Sequence, residues 1–167
     1  MRRFAIALAV AASLYALPAS AQDTVAATAE AQIVPPSVLT KVADLRFGTL
    51  VPGGTGGTIR IRPNGVVTTT GSVILAGGSR GPAAFNFQRT ILTNFPTYGG
   101  PNGTATLLIT NIFGDTMLVR NFETNFSFFG YFFQTSYTFY VGGTLDVAAN
   151  QPFGHYEGEF NVTIDNY

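Results

Sequence analysis

Cysteine and tryptophan are absent from this 167-residue chain, charged residues make up only 11% of it, and it holds a single histidine. Each shortage closes off a kind of chemistry. Without cysteine there is no disulfide framework, no thiolate metal site and no cysteine nucleophile. One histidine cannot build a multi-histidine metal centre. His155 falls on the polar side of an alternating stretch beside Glu157, where it reads as a solvated side chain; a general base needs a positioned partner. Nine Lys+Arg balance nine Asp+Glu, which leaves no basic footprint for nucleic acid. The carboxylates are scattered, with no pair in a recognisable hydrolase setting. Gly53-Gly54-Thr55-Gly56-Gly57 lacks the Lys-Ser/Thr ending of a phosphate loop and precedes no helix pattern. We therefore expect no catalytic, cofactor-binding or metal-binding residues, no cofactor and no enzyme activity.

What is abundant is apolar and turn-forming: 46% hydrophobic residues, 19 Gly and 9 Pro. Part of the apolar content belongs to a leader. Met1-Arg2-Arg3 is a short basic start, residues 4–17 form a nearly unbroken apolar run, and Pro18 precedes the small residues Ala19-Ser20-Ala21. This is the pattern of a secretory signal peptide over residues 1–21, cleaved before Gln22. As a helix, residues 4–17 would reach about 21 Å, short of the ~30 Å hydrocarbon core, so no transmembrane span is expected. Loss of Arg2 and Arg3 leaves the exported chain slightly acidic.

After the leader, every periodic stretch has period two, the period of a strand with one apolar face. Val25, Ala27, Ala29, Ala31 and Ile33 alternate with polar residues in an N-terminal segment, residues 22–34, ended by Pro35-Pro36. Further strands are expected at 38–39, 45–47, 58–62, 66–70, 73–75, 85–88, 104–110, 117–122, 126–133, 136–141, 144–147 and 156–164. Asn64-Gly65 signals a tight hairpin turn, since both residues tolerate positive φ. In the last stretch Tyr156, Phe160, Val162 and Ile164 share a face, opposite His155, Glu157, Glu159, Asn161 and Thr163. Gly and Pro punctuate these stretches, and no helical period appears. Residues 35–167 read as one all-β domain, a single antiparallel β-sandwich of the immunoglobulin or pilin kind.

Between Phe122 and Tyr140 about every second residue is Phe or Tyr. In a half-buried strand only alternate residues face the core, yet Phe126, Phe128, Phe129, Tyr131, Phe132, Phe133 and Tyr137 supply rings to both faces. Either both faces are covered, or the tract is an exposed patch for a partner or for sugar stacking.

Three segments carry a family resemblance. They are Leu45-Arg46-Phe47-Gly48-Thr49-Leu50-Val51-Pro52-Gly53, then residues 141–151 beginning Val141-Gly142-Gly143-Thr144-Leu145, and the closing residues 153–164 around Gly154-His155-Tyr156-Glu157-Gly158. They resemble a secreted Gram-negative bacterial domain of unknown function, number 4402. That family has no established activity, so no catalytic residues carry over. A looser similarity runs to spore coat U-type and chaperone–usher pilin subunits. It implies an incomplete sandwich, into which a neighbour's N-terminal extension is added as a strand. Val25, Ala27, Ala29, Ala31 and Ile33 would suit such a donor. The preferred role is plainer, the first strand of the chain's own sheet, because an alternating strand looks the same in both roles.

An outer-membrane barrel would also show exported, alternating strands. Counting back in twos from Tyr167 meets Asp165, Thr163, Asn161 and Glu159, so a terminal aromatic cannot share an apolar lipid face. The expected function is that of an exported, non-catalytic structural or adhesive surface protein, periplasmic or extracellular. It would partner with itself or with another surface component. A carbohydrate-binding module using residues 126–133 is the alternative.

Overall fold

The computed structural model describes residues 28–33, 37–89, 95–127 and 134–166. The chain divides into two compact units, residues 1–32 and 33–167. Of the first unit only residues 28–32 are described; they are exposed and in no strand. In the second unit the described residues are all-β, with antiparallel pairing throughout and no helix.

The sheet is organised by one long strand, β10 (Ser136–Val147). It pairs β6 (Ala83–Gln88) through residues 136–141 and β3 (Gly57–Ile61) through residues 143–147. Val141 pairs both Ala83 and Thr124, and Thr144 pairs both Arg60 and Arg120. β6 and β3 therefore follow one another along one edge of β10, while β9 (Thr116–Thr124) takes the opposite edge. Outward from these lie β1 (Val38–Ala43) on β6, β4 (Val67–Gly71) on β3 and β8 (Leu107–Thr110) on β9. Two small sheets complete the unit: β2 (Thr49–Val51) with β5 (Ile74–Gly77), and β7 (Pro96–Gly99) with β11 (Thr163–Asn166).

The core sits on one face of the main sheet. Alternation delivers Phe139, Val141, Leu145 and Val147 from β10, Phe85 and Phe87 from β6, and Ile59 and Ile61 from β3, all buried. β9 switches phase within its length: Met117 and Val119 are buried, and then Phe122 rather than residue 121. The cause is a bulge. Residues 142 to 144 of β10 oppose 123 to 120 of β9, one residue more, and the extra Asn121 has φ +50°. Asparagine tolerates that left-handed conformation better than most residues. Over this face lie Tyr98 and Phe160, with Phe160 5.5 Å from Phe122 and 6.4 Å from Phe85, ring centre to ring centre. The arrangement is sandwich-like and, with no cysteine in the chain, is held by core packing and strand pairing without disulfides.

Several sequence expectations change here. The stretches 136–141 and 144–147 are one strand, because Gly142 and Gly143 are buried within β10 rather than forming a loop. Residues 156–164 are not one strand. Glu157 makes an isolated bridge to Thr110, and β11 begins only at Thr163. The face assignment holds even so: Tyr156, Phe160, Val162 and Ile164 pack on the core, and the alternate residues are exposed. A segment lying over a core satisfies the same two-sided pattern without a continuous ladder. The hairpin at Asn64-Gly65 forms, but as a three-residue connection. Arg62 N–H donates to Val66 O at 2.9 Å, Gly65 N–H donates to Arg62 O at 2.9 Å, and Gly65 alone has positive φ, +82°. Proline at position 63 fixes φ near −65°, which suits a type I turn closed by a left-handed glycine. Residues 28–33 are exposed and in no strand; the rest of the candidate N-terminal segment, residues 22–27 and 34, lies outside the described residues.

Tyr98 shows how the covering layer is fastened. Its ring lies edge-on to Phe139 at 5.9 Å and beside Phe126 at 5.9 Å, and its hydroxyl donates to Pro101 O at 3.1 Å. Burial pushes the phenol up to about 12, because the phenolate would lose hydration. Folded Tyr98 keeps its proton where the unfolded chain has released it. The resulting stabilisation is present below about pH 10 and is lost as pH rises towards 12. Tyr98→Phe should cost about 1 kcal/mol at pH 8, measured by urea unfolding, and should flatten the fall in stability above pH 10. An unchanged alkaline slope would place that titration elsewhere.

Candidate functional site

The proposed strand-donor face falls partly within the described residues. Ala29, Ala31 and Ile33 are exposed, Ile33 at 97%, with no strand pairing; Val25 and Ala27 lie outside the described residues. An alternating segment that is solvated on both sides has not used its apolar face.

The aromatic tract is divided in the same way. Phe128, Phe129, Tyr131, Phe132 and Phe133 lie outside the described residues. Phe126 and Tyr137, which bracket them, are half-buried. Phe126 sits 5.2 Å from Phe139 and 6.2 Å from Tyr137, and Tyr137 donates its hydroxyl to Asn125 O at 3.2 Å. These two rings pack at the margin of the core.

On the outer face of the main sheet four charged side chains form two cross-strand pairs. Arg60 bonds Glu123, and Arg120 Nε donates to Asp146 Oδ2 at 2.7 Å, on either side of buried Thr144. The hydrogen bond and charge of Asp146 raise the Arg120 pKa further. Pairs that neutralise each other across strands hold register and offer little net field to a ligand. His155 Nε2 lies 3.7 Å from Glu157 Oε2, both side chains more than four-fifths exposed, which is the solvated setting expected of it. Among the described residues no group of His, Asp and Glu could hold a metal ion. An open groove of about 350 Å³ runs past Lys41, Asp44, Arg46 and Arg80. Its cations are already engaged: Lys41 pairs Asp44 at 2.8 Å, Arg46 reaches the same carboxylate at 3.4 Å, and Arg80 donates to Gly77 O. The Lys41 hydrogen bond and then that of Arg46 hold the Asp44 carboxyl below its usual range.

One feature escaped the sequence reading. Ile112, Phe113 and Phe153 are exposed together, the two rings 6.2 Å apart at the tips of neighbouring loops. Buried Asn111 builds this tip: its Oδ1 accepts from Phe113 N–H and Asp115 N–H, both at 2.9 Å, and its Nδ2 donates to Asp115 Oδ2. The signal lay in Asn111-Ile112-Phe113-Gly114-Asp115, two large apolar residues inside a turn sequence.

Fold and surface together define an all-β, cysteine-free domain with open sheet edges and exposed apolar segments. The family model described as a domain of unknown function (DUF4402) matches residues 38–167, and the chain belongs to that family. The match begins at the first residue of β1, so residues 28–33 precede it. No curated protein and no solved structure matches the chain. No helix among the described residues is long and apolar enough to cross a membrane.

Proposed function

We propose that this is an exported, non-catalytic structural or adhesive protein of the cell surface that assembles by β-strand addition, the leader of residues 1–21 directing its export. The carrying observation is the state of residues 28–33: an alternating segment with Ala29, Ala31 and Ile33 exposed and outside every strand. Small apolar side chains on one face and unpaired backbone groups suit insertion beside a neighbour's strand, where main-chain hydrogen bonds supply affinity and alternate side chains supply register.

The test compares the chain from residue 22 onward with the same chain lacking residues 22–34, both on a mild-detergent gel. The longer chain should give a ladder of oligomers and the shorter one a monomer with an unchanged β-type circular dichroism spectrum. Monomers from both, at concentrations up to the millimolar range, would sink the reading.

A further inference from the structure

A donated strand needs an acceptor edge, and the outer strands of the main sheet differ in how they are guarded. β1 carries Lys41, a bulge between Lys41 and Ala43, and the adjacent Lys41–Asp44 ion pair. β8 is engaged beyond β9: Thr110 N–H donates to Glu157 O at 2.9 Å and Glu157 N–H returns a bond to Thr110 O at 3.2 Å. Charges, bulges and coverings are the usual means by which an edge is kept from pairing. β4 has none of them. Val67-Thr68-Thr69-Thr70-Gly71 is uncharged and free of proline, and its register with β3 runs unbroken from Gly57↔Gly71 to Ile61↔Val67. Residues 68–71 are exposed, and β3 is its sole partner among the described strands.

The hydrogen-bond phase of β4 can be read from its two ends. Arg62 N–H donates to Val66 O, and Ser72 N–H donates to Gly56 O at 2.8 Å. Antiparallel pairs alternate between bonded and non-bonded, so residues 66, 68, 70 and 72 spend their backbone groups on β3. Val67, Thr69 and Gly71 direct theirs outward. Val67 and Thr69 also lie opposite Ile61 and Ile59, on the core side of the sheet. A strand added here with Ala29, Ala31 and Ile33 on that side would extend the apolar face, while Glu30 would share the outer face with Arg62. Arg62 is exposed at the end of β3 and makes no ion pair among the described residues.

We infer that β4 is the acceptor edge and that residues 28–33 of a second copy of this chain are its occupant; this rests on the strand-addition reading above. Because the chain has no cysteine, single cysteines report the contact cleanly. Copies carrying Ala31→Cys should cross-link on oxidation to copies carrying Thr69→Cys, and not to copies carrying Val42→Cys on the β1 edge. Thr69→Pro deletes an outward N–H while leaving the bonds to β3, and should lower the assembled fraction about tenfold or more. Thr69→Lys, which places a charge on the edge without touching the backbone, should act in the same direction and serves if the proline variant does not fold. Assembly that needs residues 22–34 yet survives both Thr69 variants, or cross-links through Val42→Cys, overturns the edge assignment and leaves strand addition standing. So does a chain carrying both Ala31→Cys and Thr69→Cys that closes its disulfide internally. A wild-type chain that stays monomeric overturns both.

Discussion

Phe139→Ala should cost about 3–5 kcal/mol in urea unfolding, a large share of the stability of a domain of this size. The ring is 0% exposed and stands at the meeting point of four others. Phe85 stacks on it at 5.6 Å, Tyr98 meets it edge-on at 5.9 Å, Phe126 at 5.2 Å, and Tyr137 lies parallel at 6.5 Å. Truncation forfeits the burial of the ring and leaves a cavity that two strands, β6 and β10, cannot collapse to fill without breaking their register. It also unseats Tyr98 and Phe126, which reach the core largely through this contact. Tyr140→Ala, one residue on and facing outward, should cost less than about 1 kcal/mol. Equal losses for the two variants would mean that the phase of β10 is other than described.

The second large effect is expected from a single methyl group. Gly142 lies where the edge of β10 passes from β6 to β3, and a Cβ there would stand 2.2 Å from Ile61 O and 2.9 Å from Arg62 C. Both are backbone atoms at the start of the β3–β4 hairpin, so no side-chain rotation relieves the overlap. Gly142→Ala must push β3 away from β10, and it should cost more than about 3 kcal/mol or prevent folding. Gly103→Ala is the control: nothing lies within 4 Å of its added Cβ, and its effect should stay within about 1 kcal/mol of zero. Thermal unfolding of the two variants side by side decides the matter. A Gly142→Ala protein as stable as Gly103→Ala would show that β3 does not approach β10 so closely.

Much of this fold is written locally. Ile59 and Ile61 alternate with Thr58 and Arg60 and are buried as that pattern requires, and Pro63-Asn64-Gly65 turns the chain into β4. Tyr156, Phe160, Val162 and Ile164 face the core for the same reason. Where sequence reading faltered, the cause was non-local. Gly142-Gly143 reads as a loop, since glycine usually breaks strands, but here it admits a neighbouring backbone. The phase change at Asn121 exists because β9 must follow β10 around that same point. The candidate donor face was visible as a pattern in Ala29, Ala31 and Ile33, but its lack of strand pairing was not, because pairing depends on a partner strand.

Alternation, turn chemistry and the missing cysteine were enough, by themselves, to determine an all-β domain that must hold together by packing, with its inward residues largely assigned. Those properties follow from a two-residue period and from which side chains shed water. The partnering of strands was decided only by the tertiary structure: β10 shared among β6, β3 and β9, β1 and β8 guarded, and β4 left open. Backbone hydrogen bonds are the same for every residue but proline, so the sequence carries little record of which edge they meet.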